Sequence, residues 1–91
     1  MPKNKEALIR YRVINRSLKD FQYVTKEKMI QACEDTLDIH PIGERTIDGD
    51  IHDMRFDNGL GYFAPIKYDR TKRAYYYEDP DYSIDNIPLN I

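Results

Sequence analysis

The stretch TKEKMIQACEDTLDIHPIGERTIDGDIHDMRF, residues 25–56, contains two amphipathic segments separated by a short break. Thr25 is a suitable helix N-cap, because its side-chain oxygen can accept a hydrogen bond from a free backbone amide. The apolar side chains that follow lie on one helical face: Met29, Ile30, Cys33 and Leu37. The segment His40–Gly43 ends this helix, because proline cannot continue a helix and glycine permits a turn.

The second segment of this pair predicts a helix from Glu44 to about Phe56. Its apolar stripe is narrow and consists of Ile47, Ile51 and Met54. A further amphipathic helix is predicted before the pair, from about Lys5 to Lys19. The stripe of that first helix consists of Leu8, Tyr11, Ile14 and Leu18, widened by Ile9 and Val13.

After the third helix the apolar pattern changes to a period of two. Residues 66–68 (IKY) and 74–77 (AYYY) favour β-strands, and they flank the polar stretch Asp69–Arg73. This pattern predicts a β-hairpin with a basic tip, whose first strand begins at Pro65. From Glu78 onward the chain is acidic and has no clear period, which favours a tail or linker.

Three helices followed by a hairpin is the element order of a winged helix-turn-helix, mainly α with a small β-hairpin. The tight connection between the second and third helices is typical of a helix-turn-helix. In that architecture the third helix enters the major groove of DNA, and we expect the hairpin, or wing, to lie on the phosphate backbone or in a minor groove.

Composition limits the class of protein. The chain has 91 residues, enough for one small domain, and its 33% charged and 41% hydrophobic residues exclude both a disordered chain and a membrane protein. No apolar stretch is long enough to span a bilayer, and the N-terminus has no signal-peptide core. The single cysteine, Cys33, excludes an internal disulfide and favours a cytoplasmic protein.

The net charge of −2 conceals an uneven distribution along the chain. Residues 1–28 carry eight basic and three acidic residues, and residues 58–77 carry four basic residues and one acidic residue. The other two blocks, 29–57 and 78–91, are acidic. If the two basic blocks form one surface in the fold, the protein can bind a polyanion despite its acidic pI.

Three stretches resemble a known family. The third-helix segment, residues 44–55 (ERTIDGDIHDMR), resembles the recognition-helix signature of DeoR-like winged helices. Residues 1–11 (MPKNKEALIRY), 61–66 (GYFAPI) and 75–84 (YYYEDPDYSI) are similar to the N-terminal part of WYL-domain transcriptional regulators of Bacteroides-type bacteria. The similarity covers nearly the whole chain.

This resemblance implies a DNA-binding winged helix over residues 1–77, and an acidic linker over residues 78–91 that leads to a C-terminal WYL domain absent here. The effector would bind that missing domain. The expected partner is double-stranded DNA. Regulators of this family gain affinity for DNA through oligomerisation. The resemblance leaves open whether this chain forms a homodimer. The resemblance implies no cofactor, no metal, no catalytic residue and no membrane attachment.

Ten residues are candidates for DNA contact: Arg45, Thr46, Asp48, Gly49, His52, Arg70, Lys72, Arg73, Lys26 and Lys5. The first five lie on the third helix, the next three at the hairpin tip, and the two lysines near helix N-termini.

Arg45 can bind guanine or a phosphate, or remain a solvated side chain. The hydroxyl of Thr46 can donate to a phosphate or cap the helix. The cations of the hairpin tip can bind phosphates, or they can be charged residues that only keep the protein soluble.

The third helix departs from the family pattern, which usually has basic or amide residues where this chain has Asp48 and Gly49. This helix is acidic overall. Its charge and the glycine favour an alternative function, a winged helix that binds a protein partner or a second copy of this chain.

We further predict that Asp50, beside the buried stripe, pairs with a basic residue of another helix, and that Cys33 is a core residue rather than a nucleophile.

Overall fold

The computed structural model of the chain describes residues 5–86. Its elements follow one another in this order: α1 (Lys5–Asp20), α2 (Lys26–Leu37), α3 (Glu44–Phe56), β1 (Ile66–Asp69), β2 (Ala74–Tyr77) and a short 3-10 turn (Ile84–Asn86). The strands β1 and β2 pair antiparallel. Three helices followed by a two-stranded hairpin confirm the predicted winged helix.

The helix-turn-helix forms through local hydrogen bonds that the sequence pattern indicates. The backbone amide of Lys28 donates to Thr25 Oγ1 at 3.2 Å, which confirms the predicted cap of α2. Helix α2 ends at Leu37, and its C-cap Asp38 adopts a left-handed conformation with φ of 55°. The turn is held by Glu34, whose Oε2 accepts from the amide of Ile42 at 2.9 Å. Helix α3 then begins after Gly43.

The core lies between the three helices and the hairpin. Its largest fully buried side chains are Tyr11, Ile14, Met29, Ile47, Met54, Ile66, Val24 and Cys33. The burial of Cys33 confirms its prediction as a core residue. The prediction for Leu8 was wrong, because this side chain is 41% exposed and the stripe of α1 begins at the small residue Ala7.

The predicted pairing of Asp50 is confirmed by an ion pair between α1 and α3. Arg10 Nε donates to Asp50 Oδ2 at 2.6 Å, and a second guanidinium nitrogen donates to Asp50 Oδ1 at 3.1 Å. Both side chains are largely buried, with 14% and 5% exposed. The hydrogen bond to Asp50 raises the pKa of Arg10. This two-point contact fixes the orientation of α3 relative to α1.

The hairpin is held to the helices by a contact that no periodicity predicts. Within the hairpin, Ile66 pairs with Tyr77 and Asp69 pairs with Ala74. Val24, between α1 and α2, forms an isolated antiparallel bridge with Tyr75, with N···O distances of 2.9 and 2.7 Å. The bridge adds a third, one-residue strand to the sheet and fixes the hairpin beside the N-terminus of α2.

The segment after β2 packs on α1. The buried side chain of Asn15 receives hydrogen bonds at Oδ1 from the hydroxyl of Tyr77 (2.6 Å) and the amide of Ile84 (3.2 Å). Asn15 Nδ2 donates to Ser83 Oγ at 3.2 Å, and the hydroxyl of Tyr82 donates to the carbonyl of Tyr62 at 2.7 Å. Residues 79–86 therefore follow the surface of the helices, although this stretch has no clear period in the sequence.

Candidate nucleic-acid interface

The outer face of α3 consists of four solvent-exposed residues: Arg45, Asp48, Gly49 and His52. Arg45, Gly49 and His52 lie opposite the buried side chains Ile47, Ile51 and Met54, as the apolar stripe predicts, and Asp48 lies at the flank of this face. A Cβ atom built on Gly49 would meet no other atom within 4 Å. The backbone of α3 is therefore accessible at this position, and a flat surface such as a base-pair edge can approach it closely.

One ion pair joins the outer face of α3 to the N-terminus of α2. Lys26 Nζ lies 2.8 Å from Asp48 Oδ1, and the lysine and aspartate side chains are 26% and 50% exposed. The hydrogen bond to Asp48 raises the pKa of Lys26. The pair places a positive charge beside the carboxylate of Asp48 at the flank of the outer face.

A groove lies between the N-terminal ends of α2 and α3 on one side and the hairpin on the other. We call it the wing groove, and its lining residues are Thr25, Lys26, Glu27, Glu44, Tyr68, Arg73 and Tyr75. The rings of Tyr68 and Tyr75, which face each other across the two strands, lie 4.9 Å apart between centroids. The groove thus brings two predicted DNA contacts together, Lys26 from α2 and Arg73 from the hairpin tip.

The other two cations of the hairpin tip have different surroundings. Lys72 Nζ lies 4.9 Å from the centroid of the Tyr23 ring, which itself packs against Tyr76 at 5.5 Å. Arg70 is exposed. The tip is shaped by Asp69, whose Oδ1 accepts from the amide of Lys72 at 3.0 Å, and by Arg73, which has φ of 52°.

Two predicted contacts, Thr46 and Lys5, lie neither on the outer face of α3 nor at the hairpin tip. Thr46, though exposed, borders a separate hollow that is also lined by Glu6, Arg10 and Ile42. Lys5 is the exposed first residue of α1. The structure therefore separates these two residues from the cluster formed by Lys26, Asp48 and Arg73.

An exposed aromatic cluster lies at the C-terminal end of α3. Phe56 is 55% exposed, its ring lies 5.1 Å from that of His52, and the guanidinium of Arg55 lies 4.8 Å from its centroid. Nearby in sequence, Phe63 is 57% exposed and adopts a positive φ of 44°. The C-terminal part of the outer face is thus more apolar than its N-terminal part.

Sequence reasoning missed two features of this surface. The contact between Lys26 and Asp48 depends on how α2 crosses α3, which the pattern of neither helix specifies. The second feature is the pair of tyrosines that line the wing groove. Their pairing could be predicted from the sequence, because counting residues on both sides of the hairpin tip places Tyr68 opposite Tyr75. Alternation of Tyr75, Tyr76 and Tyr77 along the strand predicts that one face packs on the core, and it leaves the other face either to stack on a partner or to contact solvent.

Two further properties concern residues 5–86. No group of three or more His, Cys, Asp or Glu side chains in this range is arranged to hold a metal ion. None of the helices described there has the length and apolar character that crossing a bilayer requires.

Comparison with known proteins gives one match. The model of the family described as "WYL domain-containing protein, N-terminal winged helix domain" matches residues 6–78, which is most of the chain. No curated protein and no solved structure matches the chain significantly. The matched region includes α2, α3, both strands and all of α1 except its first residue. The chain therefore belongs to the family of N-terminal winged helix domains of WYL domain-containing proteins.

Proposed function

We propose that this domain binds double-stranded DNA as the recognition module of a transcriptional regulator, with α3 in the major groove and the hairpin on the phosphate backbone. The observation that carries the proposal is the exposed outer face of α3 beside a groove that holds Lys26 and Arg73. A winged helix places its third helix and its wing against the duplex in this relative arrangement. We further infer a DeoR-like, cytoplasmic bacterial regulator whose WYL domain binds the effector.

The N-terminal two thirds of α3, residues 44–52, supply the contacts to base edges. Arg45, the second residue of the helix, is exposed and can reach guanine O6 and N7 with two donors. Gly49 permits close approach of the helix backbone, and His52 lies one turn further along the same face. These positions match the rule that the N-terminal residues of a recognition helix contact base edges.

The hairpin supplies the contacts to the phosphates. Arg70 and Arg73 are exposed and sit on the connection between β1 and β2, which projects from the helices. Their charges act on any DNA sequence, because phosphate contacts position a protein without reading bases. The opposing negative charge of Asp48 is neutralised by Lys26, which removes one source of repulsion from a phosphate backbone.

A second candidate function is the binding of a protein partner by the C-terminal part of α3. The exposed rings of Phe56 and Phe63 favour it, because exposed large aromatic side chains are enriched at protein interfaces. Under this alternative, contact with the partner depends on apolar burial and is insensitive to salt.

An NMR titration of the isotope-labelled chain with a mixed-sequence duplex tests the proposal. We expect shifts at residues 45–52 and 70–73 at about 50 mM salt, weakening strongly at about 200 mM as condensed counterions compete. A double variant, Arg70→Gln with Arg73→Gln, should reduce the salt dependence of binding. The matched control is Arg16→Gln, because Arg16 is an exposed arginine of α1 outside both regions.

The outcomes separate the two candidates. Binding that leaves the α3 amides unshifted, or that Arg16→Gln weakens as much as the hairpin variant, would contradict the proposed docking. No shift at either salt concentration would contradict DNA binding by this chain. Concentration-dependent shifts confined to Phe56 and Phe63, without duplex, would favour the protein-binding alternative.

A further inference from the structure

Asp48 is an unusual residue to find on the proposed DNA-facing surface of α3, because a carboxylate repels phosphates. The structure gives it a specific environment. Lys26 Nζ contacts one carboxylate oxygen, Oδ1, at 2.8 Å, while half of the aspartate side chain remains exposed. Asp48 is therefore a neutralised and oriented acceptor that faces outward from the fifth position of α3.

Its neighbour on the chain allows Asp48 to reach a base edge. The aspartate side chain is short, so the helix backbone must approach the groove floor closely for the carboxylate to touch a base. Gly49 provides this approach, since it has no side chain and the space outside it is open. A larger residue at position 49 would hold the backbone, and with it Asp48, away from the base pairs.

The chemistry of a carboxylate selects among the bases. An ionised carboxylate only accepts hydrogen bonds. In the major groove cytosine presents an amino donor, whereas guanine presents two acceptors and thymine presents one acceptor and a methyl group. Adenine presents its amino group beside the N7 acceptor, which repels the second carboxylate oxygen. Cytosine is thus the base whose own groove edge offers a donor and no acceptor.

We propose that Asp48 determines sequence specificity by accepting a hydrogen bond from the amino group of a cytosine, with Lys26 as the residue that positions its carboxylate. This inference rests on the proposed function, because it assumes that α3 enters the major groove. It assigns to the acidic residue of α3 a role in recognition. It also gives Lys26 a role distinct from that of a phosphate contact.

The test is selection of bound duplexes from a random-sequence pool by the full chain and by four variants. We expect the unmodified chain to select cytosine at one position. Asp48→Asn should shift that position toward adenine, because an amide can bond adenine N6 and N7 together. Asp48→Ala should lose the preference there, with about tenfold or greater loss of discrimination measured on duplexes that differ at that base pair.

Lys26→Gln tests the positioning role. We expect this variant to weaken the cytosine preference at the same position, an effect that loss of a phosphate contact would not produce, since phosphate contacts act equally on all sequences. The matched control is Asp20→Asn, which removes an exposed carboxylate that lies 3.8 Å from Arg16 in a helical ion pair. This control should leave the selected sequence unchanged.

Failure of this inference differs from failure of the proposed function. If the chain binds duplex with no base preference, or if Asp48→Asn and Asp48→Ala keep the cytosine preference, the role of Asp48 is wrong while DNA binding stands. If both variants raise affinity equally for every sequence, Asp48 only repels DNA and the inference is overturned. If the unmodified chain binds no duplex at low salt, both proposals are overturned.

Discussion

At the scale of single residues, the ion pair between Arg10 and Asp50 joins two helices through charged groups that are largely buried. Its two hydrogen bonds link α1 to α3, and both side chains are largely shielded from water. Breaking such a pair leaves an uncompensated buried charge. We expect Asp50→Ala to lower the free energy of unfolding by about 3 kcal/mol. Urea unfolding measures the change.

A matched control exists in the exposed ion pair between Arg16 and Asp20, whose side chains are 84% and 59% exposed. Solvent screens that pair, so Asp20→Ala should change the free energy of unfolding by less than about 1 kcal/mol. Equal effects of Asp50→Ala and Asp20→Ala would show that the buried pair does not hold α1 to α3.

Gly49 lies in the interior of α3, where glycine is unfavourable for helix stability. Because an added Cβ meets nothing within 4 Å, Gly49→Ala should raise the free energy of unfolding by about 0.5–1 kcal/mol. The same methyl group would stand on the outer face of α3, so we expect this variant to bind duplex more weakly than the unmodified chain. Urea unfolding and a duplex titration measure the two effects.

Gly43→Ala is the matched control for this substitution, since a Cβ at Gly43 also meets no atom within 4 Å. Gly43 is the N-cap of α3, where alanine is less favourable than glycine, so this variant should be destabilised. A Gly49→Ala variant that is more stable and binds duplex unchanged would show that the outer face does not approach DNA closely.

At the scale of elements, the three helices could be predicted because each carries an apolar stripe over several turns. The hairpin could be predicted because two segments with a period of two flank a polar stretch. Helix α3 begins at Glu44 and ends at Phe56, as predicted, and Thr25 caps α2. The one-residue bridge at Val24 could not be predicted, since a single residue has no period. The packing of residues 79–86 was missed because it depends on a buried polar side chain, Asn15, that hydrophobic patterns ignore.

The candidate site could be predicted only in part. The stripe of α3 correctly indicated which residues face outward, and the hairpin pattern placed Arg70 and Arg73 at its tip. The pairing of Lys26 with Asp48 depends on the crossing of two helices, which is set by their packing and not by either sequence pattern. The contacts of these residues with DNA stay predictions.

The hydrogen bonds of Asn15 lead to a prediction for the segment after β2. Asn15→Ala leaves the buried hydroxyl of Tyr77 and the amide of Ile84 without their acceptor. Each unsatisfied buried group costs about 1–3 kcal/mol, so we expect a loss of about 2–4 kcal/mol in the free energy of unfolding. Amide hydrogen exchange at residues 82–86 should accelerate, because the contact of this segment with α1 is weakened.

Tyr77→Phe provides the comparison. It removes the hydroxyl together with its need for an acceptor, while Asn15 still accepts from Ile84, so we expect a loss of only about 1 kcal/mol and slow exchange at residues 82–86. Unchanged exchange in Asn15→Ala would show that the apolar contacts of Tyr82 and Ile84 alone hold the segment.

At the scale of the whole molecule, the basic residues do not form one continuous surface. Lys26 and Arg73, from the two basic blocks of the sequence, share the wing groove. Three other cations, Arg12, Arg16 and Lys19, line a different groove together with Asp85 of the segment after β2. The fold thus brings an acidic residue of this segment beside the cations of α1, and the wing groove likewise combines its two cations with two acidic residues, Glu27 and Glu44.

The same fold buries several groups that must stay neutral, and this gives stability a pH dependence. Burial raises the pKa of Cys33 to about 11 and that of Tyr82 to about 12, and it raises the pKa of Tyr77 further. In an unfolded chain a cysteine ionises near pH 8.5 and a tyrosine near pH 10. Below about pH 8.5 these groups are protonated in both states and do not alter stability.

Above about pH 8.5 the unfolded chain binds fewer protons than the folded chain, so the free energy of unfolding falls as the pH rises toward 11. We expect a loss of about 1–2 kcal/mol between pH 8.5 and pH 10, measured by urea unfolding, with Cys33 contributing first. A Cys33→Ala variant, less stable at pH 7 because of the cavity it leaves, should show a shallower fall over this interval. A free energy of unfolding that stays constant or rises from pH 8.5 to pH 10 would contradict the burial of these groups in neutral form.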